Sequence, residues 1–177
     1  MRQGELLGLR WSDVELDRGT LTIQQTLEKP GPSSIFGTPK TAKSRRTISL
    51  DADLVAILRV SKAKQNEERL WLGPKYRDLG LVFTIPGSSP VNRQNLSRRD
   101  FARVMTAASV PRIRFHDLRH SFASLLLGAN FDLKLVSEMM GHSGIAITAD
   151  TYGHLTLGHK AEAAIVVGRL LAGAGGL

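Results

Sequence analysis

The chain has 177 residues, 42% of them hydrophobic, and this length suits one domain with a substantial core. A formal net charge of +8 and a pI near 10.3 favour a polyanionic partner, either nucleic acid or an anionic membrane surface. The chain has no cysteine, which excludes disulfides, thiol catalysis and cysteine-ligated zinc. It has no secretory signal and no apolar run near the roughly 20 residues that cross a bilayer. The sequence therefore predicts a soluble, intracellular protein that faces nucleic acid.

The first third of the chain predicts one helix followed by strands. RQGELLGL (2–9) spaces its apolar side chains as a helix does, whereas TLTIQQT (20–26) and SRRTISL (44–50) alternate in the manner of strands. Between these two strands, EKPGPSSIFGTPKTAK is rich in Pro, Gly and Ser and predicts a mobile turn.

From Asp51 onward the pattern is mainly helical. Asp51 or Asp53 is expected to cap a helix through LVAILRVSKAKQNEER, after which LVFTI (81–85) predicts a short strand and PGSSPVN a loop. Further helices are predicted for NLSRRDFARVMTAAS (95–109), FHDLRHSFASLLLGAN (115–130), DLKLVSEMMGH (132–142), the short ITADTYGHL (147–155) and HKAEAAIVVGRLLAG (159–173). Together these elements predict an α+β fold, mainly α-helical, with a small antiparallel β-sheet near the N-terminus.

The stretch HDLRH crowds two of the five histidines against an arginine, at His116, Arg119 and His120. Residues three and four apart share a helix face, so His116 and Arg119 are expected to point together with His120 close by. A solvated polar face, a metal site and a site that grips phosphate are the open interpretations. Metal is the poorest of them, because a third ligand is missing and an arginine would stand beside the cation.

Basic residues around this motif favour the phosphate interpretation. The planar fork of arginine matches phosphate oxygens in a way that lysine does not. Seven arginines lie between 93 and 119, against Asp100 and Asp117: Arg93, Arg98, Arg99, Arg103, Arg112, Arg114 and Arg119. Each one alone is equally compatible with a solvated face, but together with the net charge they indicate a surface that contacts a nucleic-acid backbone.

Two further groups lie downstream. GH at 141–142 ends a helix and leaves His142 at its end, and TYGH then places Tyr152, one of two tyrosines in the chain. A phenol with a pKa near 10 is a poor nucleophile by itself, although neighbouring cations favour its anion. A single tyrosine is equally compatible with a place in the core or at the surface.

The ordered set MRQGELLGLRW, TPKTAKSRRTISL, HDLRHSFAS, MMGHSG and TYGH closely resembles the catalytic domain of tyrosine recombinases, the phage integrase family. The resemblance covers residue 2 to about residue 160. It implies a catalytic set of Arg2, Lys40, His116, Arg119, His142 and Tyr152, supported by Glu5 and by His120, for which ordinary packing is the alternative. The main rival to Lys40 for the catalytic lysine is Lys43. The residues expected to contact DNA are Lys43, Arg45, Arg46, Arg93, Arg98, Arg99 and Arg114.

The resemblance also implies the chemistry. Tyr152 would attack a DNA phosphate in line, giving a 3′-phosphotyrosine and a 5′-hydroxyl. Arg2 and Arg119 would clamp the non-bridging oxygens, with a hydrogen bond from His142. Lys40 would protonate the leaving oxygen, and His116 would take or return the tyrosine proton. No metal, nucleotide or other cofactor is expected, because cations of the protein do that work and the phosphoester energy stays in the protein–DNA bond.

Family members carry helices and a separate core-binding domain ahead of the first arginine. The resemblance therefore implies that residues 1–177 are a single, N-terminally truncated catalytic domain with weak, salt-sensitive DNA binding. The expected partner is double-stranded DNA, and no membrane is expected. The full-length parent is expected to form a tetramer on DNA, and the fragment is expected to be a monomer. The expected location is cytoplasmic and nucleoid-associated. Residues 159–177 are expected to form a C-terminal helix and flexible tail, packed on their own domain or on a neighbouring protomer.

Three other functions stay open at this point. A type IB topoisomerase shares the chemistry, a DNA-binding remnant would recognise a site without cutting it, and a histidine metal protein is the poorest fit. His154 completes a YxH pattern with Tyr152 and either orients that segment or lies at the surface.

Overall fold

The computed structural model describes residues 1–31, 34–38, 45–87 and 89–153. The chain divides into two compact units, residues 1–119 and residues 120–177. The predicted helix at 159–173 and its tail lie outside the described residues, as do Lys40, Lys43 and His154. None of the helices in the described ranges has the length and apolar character needed to cross a membrane.

The first unit opens with a short helix and a three-stranded sheet. Helix α1 is Gln3–Leu7, and strands β1 (Val14–Glu15) and β2 (Thr20–Thr22) follow it. The third strand of the sheet is β5 (Thr47–Ser49), which pairs antiparallel with β2 so that Leu21 lies opposite Ile48. The strands predicted from TLTIQQT and SRRTISL are thereby confirmed as an antiparallel pair, in the sheet order β1-β2-β5.

A second hairpin lies in the segment that was expected to be only a mobile turn. Strand β3 (Thr26–Lys29) pairs antiparallel with β4 (Ile35–Gly37), with Leu27 opposite Phe36. Leu27 is fully buried, so the strand is stabilised by an apolar anchor. The Pro- and Gly-rich composition of the segment hid the short apolar pair Ile35–Phe36, and the prediction of a mere turn was wrong there.

Helix α2 (Ala52–Leu72) confirms the predicted cap. The Asp51 carboxylate accepts the backbone N–H of Leu54 at 2.8 Å, and the helix ends at Gly73, whose φ of 53° favours a residue without Cβ. Strands β6 (Thr84–Ile85) and β7 (Ser89–Pro90) then pair antiparallel, so the expected loop PGSSPVN contains a strand.

The predicted helix at 95–109 is present with an irregular start. It runs through α3 (Arg93–Asn95), a π-helical turn (Leu96–Asp100) and α4 (Phe101–Ala107). Asn92 caps it by accepting the N–H groups of the second and third residues that follow. Met105 is buried, whereas the arginines of this helix are exposed, as the two-faced pattern predicts.

The core of the first unit consists of Leu9, Leu21, Ile23, Leu58 and Val82.

Tight packing holds α1 against β3. Gly8 ends α1 directly over the backbone of β3, where a Cβ would lie 2.8 Å from the Leu27 nitrogen and 3.0 Å from the Thr26 carbonyl carbon. Glycine is therefore required at position 8 by space.

The second unit is helical in its described part. Helix α5 (Asp117–Gly128) contributes its first three residues to the first unit and the remainder to the second. Helices α6 (Leu133–Met140, capped by Asp132) and α7 (Ile145–Tyr152) follow, as the sequence predicts. Their core consists of Ala123, Leu127, Val136, Met140 and Tyr152. The predicted α+β fold class is confirmed.

Substituting Gly8→Ala should destabilise the first unit by about 1–3 kcal/mol, because the new methyl group meets backbone atoms that cannot swing aside. Gly128→Ala is the matched control: it lies at the end of α5, a Cβ added there would meet nothing within 4 Å, and alanine should stabilise the helix by up to about 1 kcal/mol. Urea unfolding followed by circular dichroism measures both, and equal midpoints for the two variants would contradict the argument.

Candidate active site

Arg2 and Glu5 form a unit at the start of α1. Arg2 precedes the helix, and the Glu5 carboxylate accepts the Arg2 backbone N–H at 2.7 Å and its guanidinium Nη1 at 3.0 Å. Glu5 thus satisfies one of the donors that a helix start leaves unpaired within the helix. The Arg2 side chain is 44% exposed and that of Glu5 only 4%, so a buried carboxylate orients a half-exposed guanidinium.

Arg46, which leads into β5, binds the same carboxylate from another part of the chain. Its Nη2 lies 3.0 Å from Glu5 Oε2 and its Nη1 3.3 Å from Oε1. The sequence predicts Arg46 as a DNA contact, but its side chain is only 8% exposed. The side chain points inward to a buried carboxylate, and in this position it holds Glu5.

Opposing effects act on the Glu5 carboxyl group. Burial by itself would raise the pKa of Glu5, but hydrogen bonds from Arg46 and from the Arg2 backbone, with the charge of Arg46, lower the pKa below its ordinary value. The carboxylate is therefore ionised wherever the protein is folded near neutral pH.

The Met1 amino group reports the charge around this pair. Burial, and next the positive charges of Arg119, Arg46 and Arg2, lower the pKa of the Met1 amino group from 8.0 to about 6, although Glu5 opposes them. Arg119 is itself buried, at 8% exposure. Arg2 and Arg119, the two arginines predicted to clamp a phosphate, thus both act on the Met1 amino group through their charge.

The start of α5 determines how HDLRH is presented. Asp117 accepts the backbone N–H of Arg114 and its Nη2, both at 2.8 Å, and the helix begins there. His116 lies one residue before the helix with an exposed side chain, and its carbonyl accepts the Arg119 N–H at 3.0 Å. His116 and Arg119 are thus joined through the main chain, while their side chains differ in exposure.

In the second unit, the predicted nucleophile is bonded to a histidine. His120 Nδ1 lies 2.6 Å from the Tyr152 hydroxyl oxygen, and the two ring centroids are 5.9 Å apart. Tyr152 is only 4% exposed and packs in the cluster with Ala123, Leu127 and Met140. His120 therefore touches the atom that the predicted chemistry uses.

His142 is held by the end of α6 and by α7. Gly141 adopts a left-handed conformation with φ of 66°, so the chain turns and the His142 N–H donates back to the Ser137 carbonyl at 3.1 Å. The His142 ring bonds to Thr148 Oγ1 at 2.7 Å. Thr148 and Tyr152 are four residues apart on α7 and share a face, so this face engages both His142 and His120.

The arginines predicted to contact DNA divide into two groups. Arg99 and Arg114 are exposed but paired with Asp100 and Asp117, at 2.7 and 2.8 Å. Arg45, Arg93 and Arg98 are exposed as well, and in the described ranges no acidic side chain forms an ion pair with Arg93 or Arg98. Gln3 of α1 binds the helical segment that carries Arg93 and Arg98: its side-chain amide donates to the Arg93 carbonyl at 3.0 Å and to Ser97 Oγ at 2.7 Å.

Sequence reasoning missed two contacts, and one of them left a signal. In SRRTISL the inward position of Ile48 places Arg46, two residues earlier, on the same face of the strand, with Arg45 and Thr47 on the other. The bond between His120 and Tyr152 left no comparable signal, because 32 residues separate the partners. Among the residues that the structure describes, no three histidine or acidic side chains cluster as metal ligands would.

Comparison with known proteins gives a consistent family. A family model described as the phage integrase family matches residues 1–159. The chain is 34% identical over 175 residues to a tyrosine recombinase XerC-like protein of Caldanaerobacter subterraneus subsp. tengcongensis, covering 92% of this chain and 44% of that protein. It is 36% identical over 166 residues to an integrase of Streptomyces ambofaciens, covering 85% and 40%. The chain thus spans less than half the length of these relatives.

Solved structures resemble the chain in fold. A Tn1549 transposon integrase in complex with transposon right end DNA has a TM-score of 0.70 at 19% identity, over 86% of this chain and 50% of that one. The XerH site-specific recombinase bound to its difH substrate in a pre-cleavage complex has a TM-score of 0.63 at 25% identity, over 93% and 42%.

Glu5→Gln should destabilise the first unit by about 3–5 kcal/mol at pH 7, because it leaves the buried Arg46 without its counter-charge. Since the folded-state pKa of Glu5 lies below the ordinary 4.5, the carboxylate stabilises the fold above that pH, and this stabilisation is lost as the pH falls through the depressed pKa. Urea unfolding from pH 7 to pH 3 should therefore show the wild-type and Gln curves converging in acid.

The matched control is Glu15→Gln, which breaks an exposed ion pair with Arg18 at 3.2 Å. Such a pair contributes at most about 1 kcal/mol. A Glu5→Gln protein as stable as the Glu15→Gln protein at pH 7, or a wild-type advantage that does not shrink in acid, would show that the buried pair is not what stabilises this region.

Proposed function

The chain belongs to the phage integrase family, and from this premise we propose that it is the catalytic domain of a site-specific DNA recombinase that cleaves and rejoins strands through a 3′-phosphotyrosine. The observation that carries the proposal is the contact of Tyr152 with His120 at 2.6 Å. Any buried phenol needs a hydrogen-bond partner, and an imidazole is a partner that can also receive the proton that a nucleophile loses.

The proposed cleavage step uses the residues in distinct roles. The Tyr152 oxygen forms a bond to phosphorus as the bond from phosphorus to the 5′-oxygen breaks. Arg2 and Arg119 stabilise the charge on the non-bridging oxygens, and His142 adds a hydrogen bond. Lys40, which lies outside the described residues, would deliver a proton to the leaving oxygen. The charges of Arg2 and Arg119 both act on the Met1 amino group, which supports their part in this scheme.

Glu5 and Arg46 fit the scheme as supports. Glu5 bonds to both the backbone and the guanidinium of Arg2, and Arg46 holds Glu5 from the other side. A guanidinium held in place before the substrate arrives loses less free energy to reorganisation when charge develops on the phosphate. Arg46 therefore belongs to the proposal as a positioning residue rather than as a DNA contact.

Double-stranded DNA is the proposed partner. The net charge and the exposed arginines Arg45, Arg93 and Arg98 support a surface that follows a phosphate backbone. The similar solved structures are complexes with DNA, which supports extending the same partner to this chain. A tetramer on DNA, and a place of action at the chromosome, are parts of the proposal that follow from the family alone.

The other candidate functions have less support. Relatives named as integrases and tyrosine recombinases favour strand exchange over a topoisomerase. A DNA-binding remnant that cannot cut would not need Tyr152, His120 and His142 to converge on one face of α7.

The first test is covalent trapping on DNA. The protein is incubated with a pool of nicked suicide duplexes of randomised sequence, and adducts that survive denaturing gels are sequenced. The wild-type protein should form an adduct, and Tyr152→Phe should form none. Tyr76→Phe removes the other phenol of the chain and is the matched control, which should keep the adduct. An adduct that persists in Tyr152→Phe, or DNA binding by the wild type with no adduct at all, would overturn the proposed chemistry.

The second test is the salt dependence of DNA binding. Replacing Arg93 and Arg98 together by alanine should lower the slope of log K against log salt by roughly 1.8, about 0.9 for each phosphate that is no longer neutralised. Alanine at Arg18 and Arg69, which pair with Glu15 and Asp78, removes the same two charges elsewhere. Equal slopes for the two double variants would mean that only net charge matters.

A further inference from the structure

The second unit presents a proton acceptor that differs from the one the resemblance implies. We propose that His120, through Nδ1, takes the phenolic proton of Tyr152 as the phosphate is attacked. This inference rests on the proposed function and concerns the same site. It assigns a catalytic role to a residue that the sequence placed only among supporting groups.

The His120 ring is close enough to Tyr152 to receive its proton directly. The His120 Nδ1 and the Tyr152 oxygen are 2.6 Å apart, within the range in which a general base can receive a proton directly. For the phenol to donate, Nδ1 must be unprotonated, which places the proton of neutral His120 on Nε2.

The Tyr152 side chain is buried among apolar residues. Tyr152 is 4% exposed and packed among Ala123, Leu127, Val136 and Met140. A phenolate formed in such surroundings ahead of the reaction would be costly, because burial disfavours the charged form. The proton therefore has to leave as the oxygen–phosphorus bond forms, to a base that is already in contact.

The packing of α5 aims the His120 ring. His120, Ala123 and Leu127 are separated by three and then four residues on α5, so they lie on one face of it. The two apolar members pack in the cluster that contains Tyr152. The contacts that bury the nucleophile thus also aim the imidazole at its hydroxyl, so the pair is preorganised by the core of this unit.

The step balances without any added reagent. The Tyr152 oxygen bonds to phosphorus, its proton passes to His120 Nδ1, and the bond from phosphorus to the 5′-oxygen breaks as that oxygen takes a proton from the general acid. On rejoining, a 5′-hydroxyl attacks the phosphotyrosine as it gives its proton back to the former general acid, the bond from phosphorus to the phenol oxygen breaks, and imidazolium at His120 returns the proton to that oxygen.

The test separates proton transfer from mere positioning. His120→Asn places an amide oxygen near the position of Nδ1, which keeps a hydrogen-bond acceptor but cannot hold the proton. Trapping on the suicide duplexes should slow about 100-fold or more in this variant. In a Tyr76→Phe background, global incorporation of a fluorinated tyrosine labels Tyr152 alone, because the chain has two tyrosines. The more acidic phenol should restore much of the lost rate in His120→Asn.

His116→Asn is the comparison that decides between the two histidines. In this variant, fluorotyrosine at position 152 should not restore the rate of adduct formation, however large the loss of rate caused by the substitution. Restoration in His116→Asn but not in His120→Asn would overturn the inference, and so would a His120→Asn protein as fast as the wild type. If the wild type forms no adduct, the proposed function fails instead, and the two failures are therefore distinguishable.

A measurement without DNA keeps the inference open to refutation on its own. The ¹⁵N chemical shifts of His120 should show an unprotonated Nδ1 at neutral pH, and the Nδ1 signal should move in Tyr152→Phe, where the donor is absent. A proton on Nδ1 of the neutral ring would make His120 the donor and would rule out proton acceptance from Tyr152. His120→Gln serves in place of His120→Asn if unfolding measurements show that the Asn variant does not fold.

Discussion

A buried carboxylate bound by two guanidinium groups is the interaction on which the first unit depends. Taking Glu5 and Arg46 out of water costs several kcal/mol per charge, and only well-aligned hydrogen bonds offset that cost. The structure provides them: two from Arg46 and two from Arg2, one of these through its backbone. Because Glu5 belongs to α1 and Arg46 leads into β5, the same ion pair joins two distant parts of the chain and sets the orientation of Arg2.

The second unit surrounds its tyrosine with hydrocarbon. Tyr152 packs among apolar side chains, and its hydroxyl oxygen contacts the His120 ring. In the proposed reaction, arginines would stabilise the charge that accumulates on the phosphate, and His120 would receive the proton that leaves the attacking group.

The sequence predicted helices at 115–130, 132–142 and 147–155, a cap at Asp51 or Asp53 and a small antiparallel sheet, because periodicity and capping are local properties. The structure has these helices at 117–128, 133–140 and 145–152. The sequence did not predict the hairpin of β3 and β4, since a few apolar residues in a Pro- and Gly-rich segment resemble a loop. Arg46 shows the limit for side chains. Two adjacent arginines in a strand look equivalent by charge, yet the period of two sends Arg45 outward and Arg46 inward.

The two histidines of HDLRH show why spacing alone could not tell their surroundings apart. His116, His120, Ala123 and Leu127 follow a single helical stripe in the sequence, so both histidines qualify if the helix is extended far enough. The helix begins at Asp117, however, where Arg114 binds the carboxylate and the chain changes direction. His120 is then inside the first turn and is aimed by the packing of α5, while His116 stands before the helix. A local ion pair at the helix start thus sets where the helical stripe begins, and His120 is the histidine inside the helix.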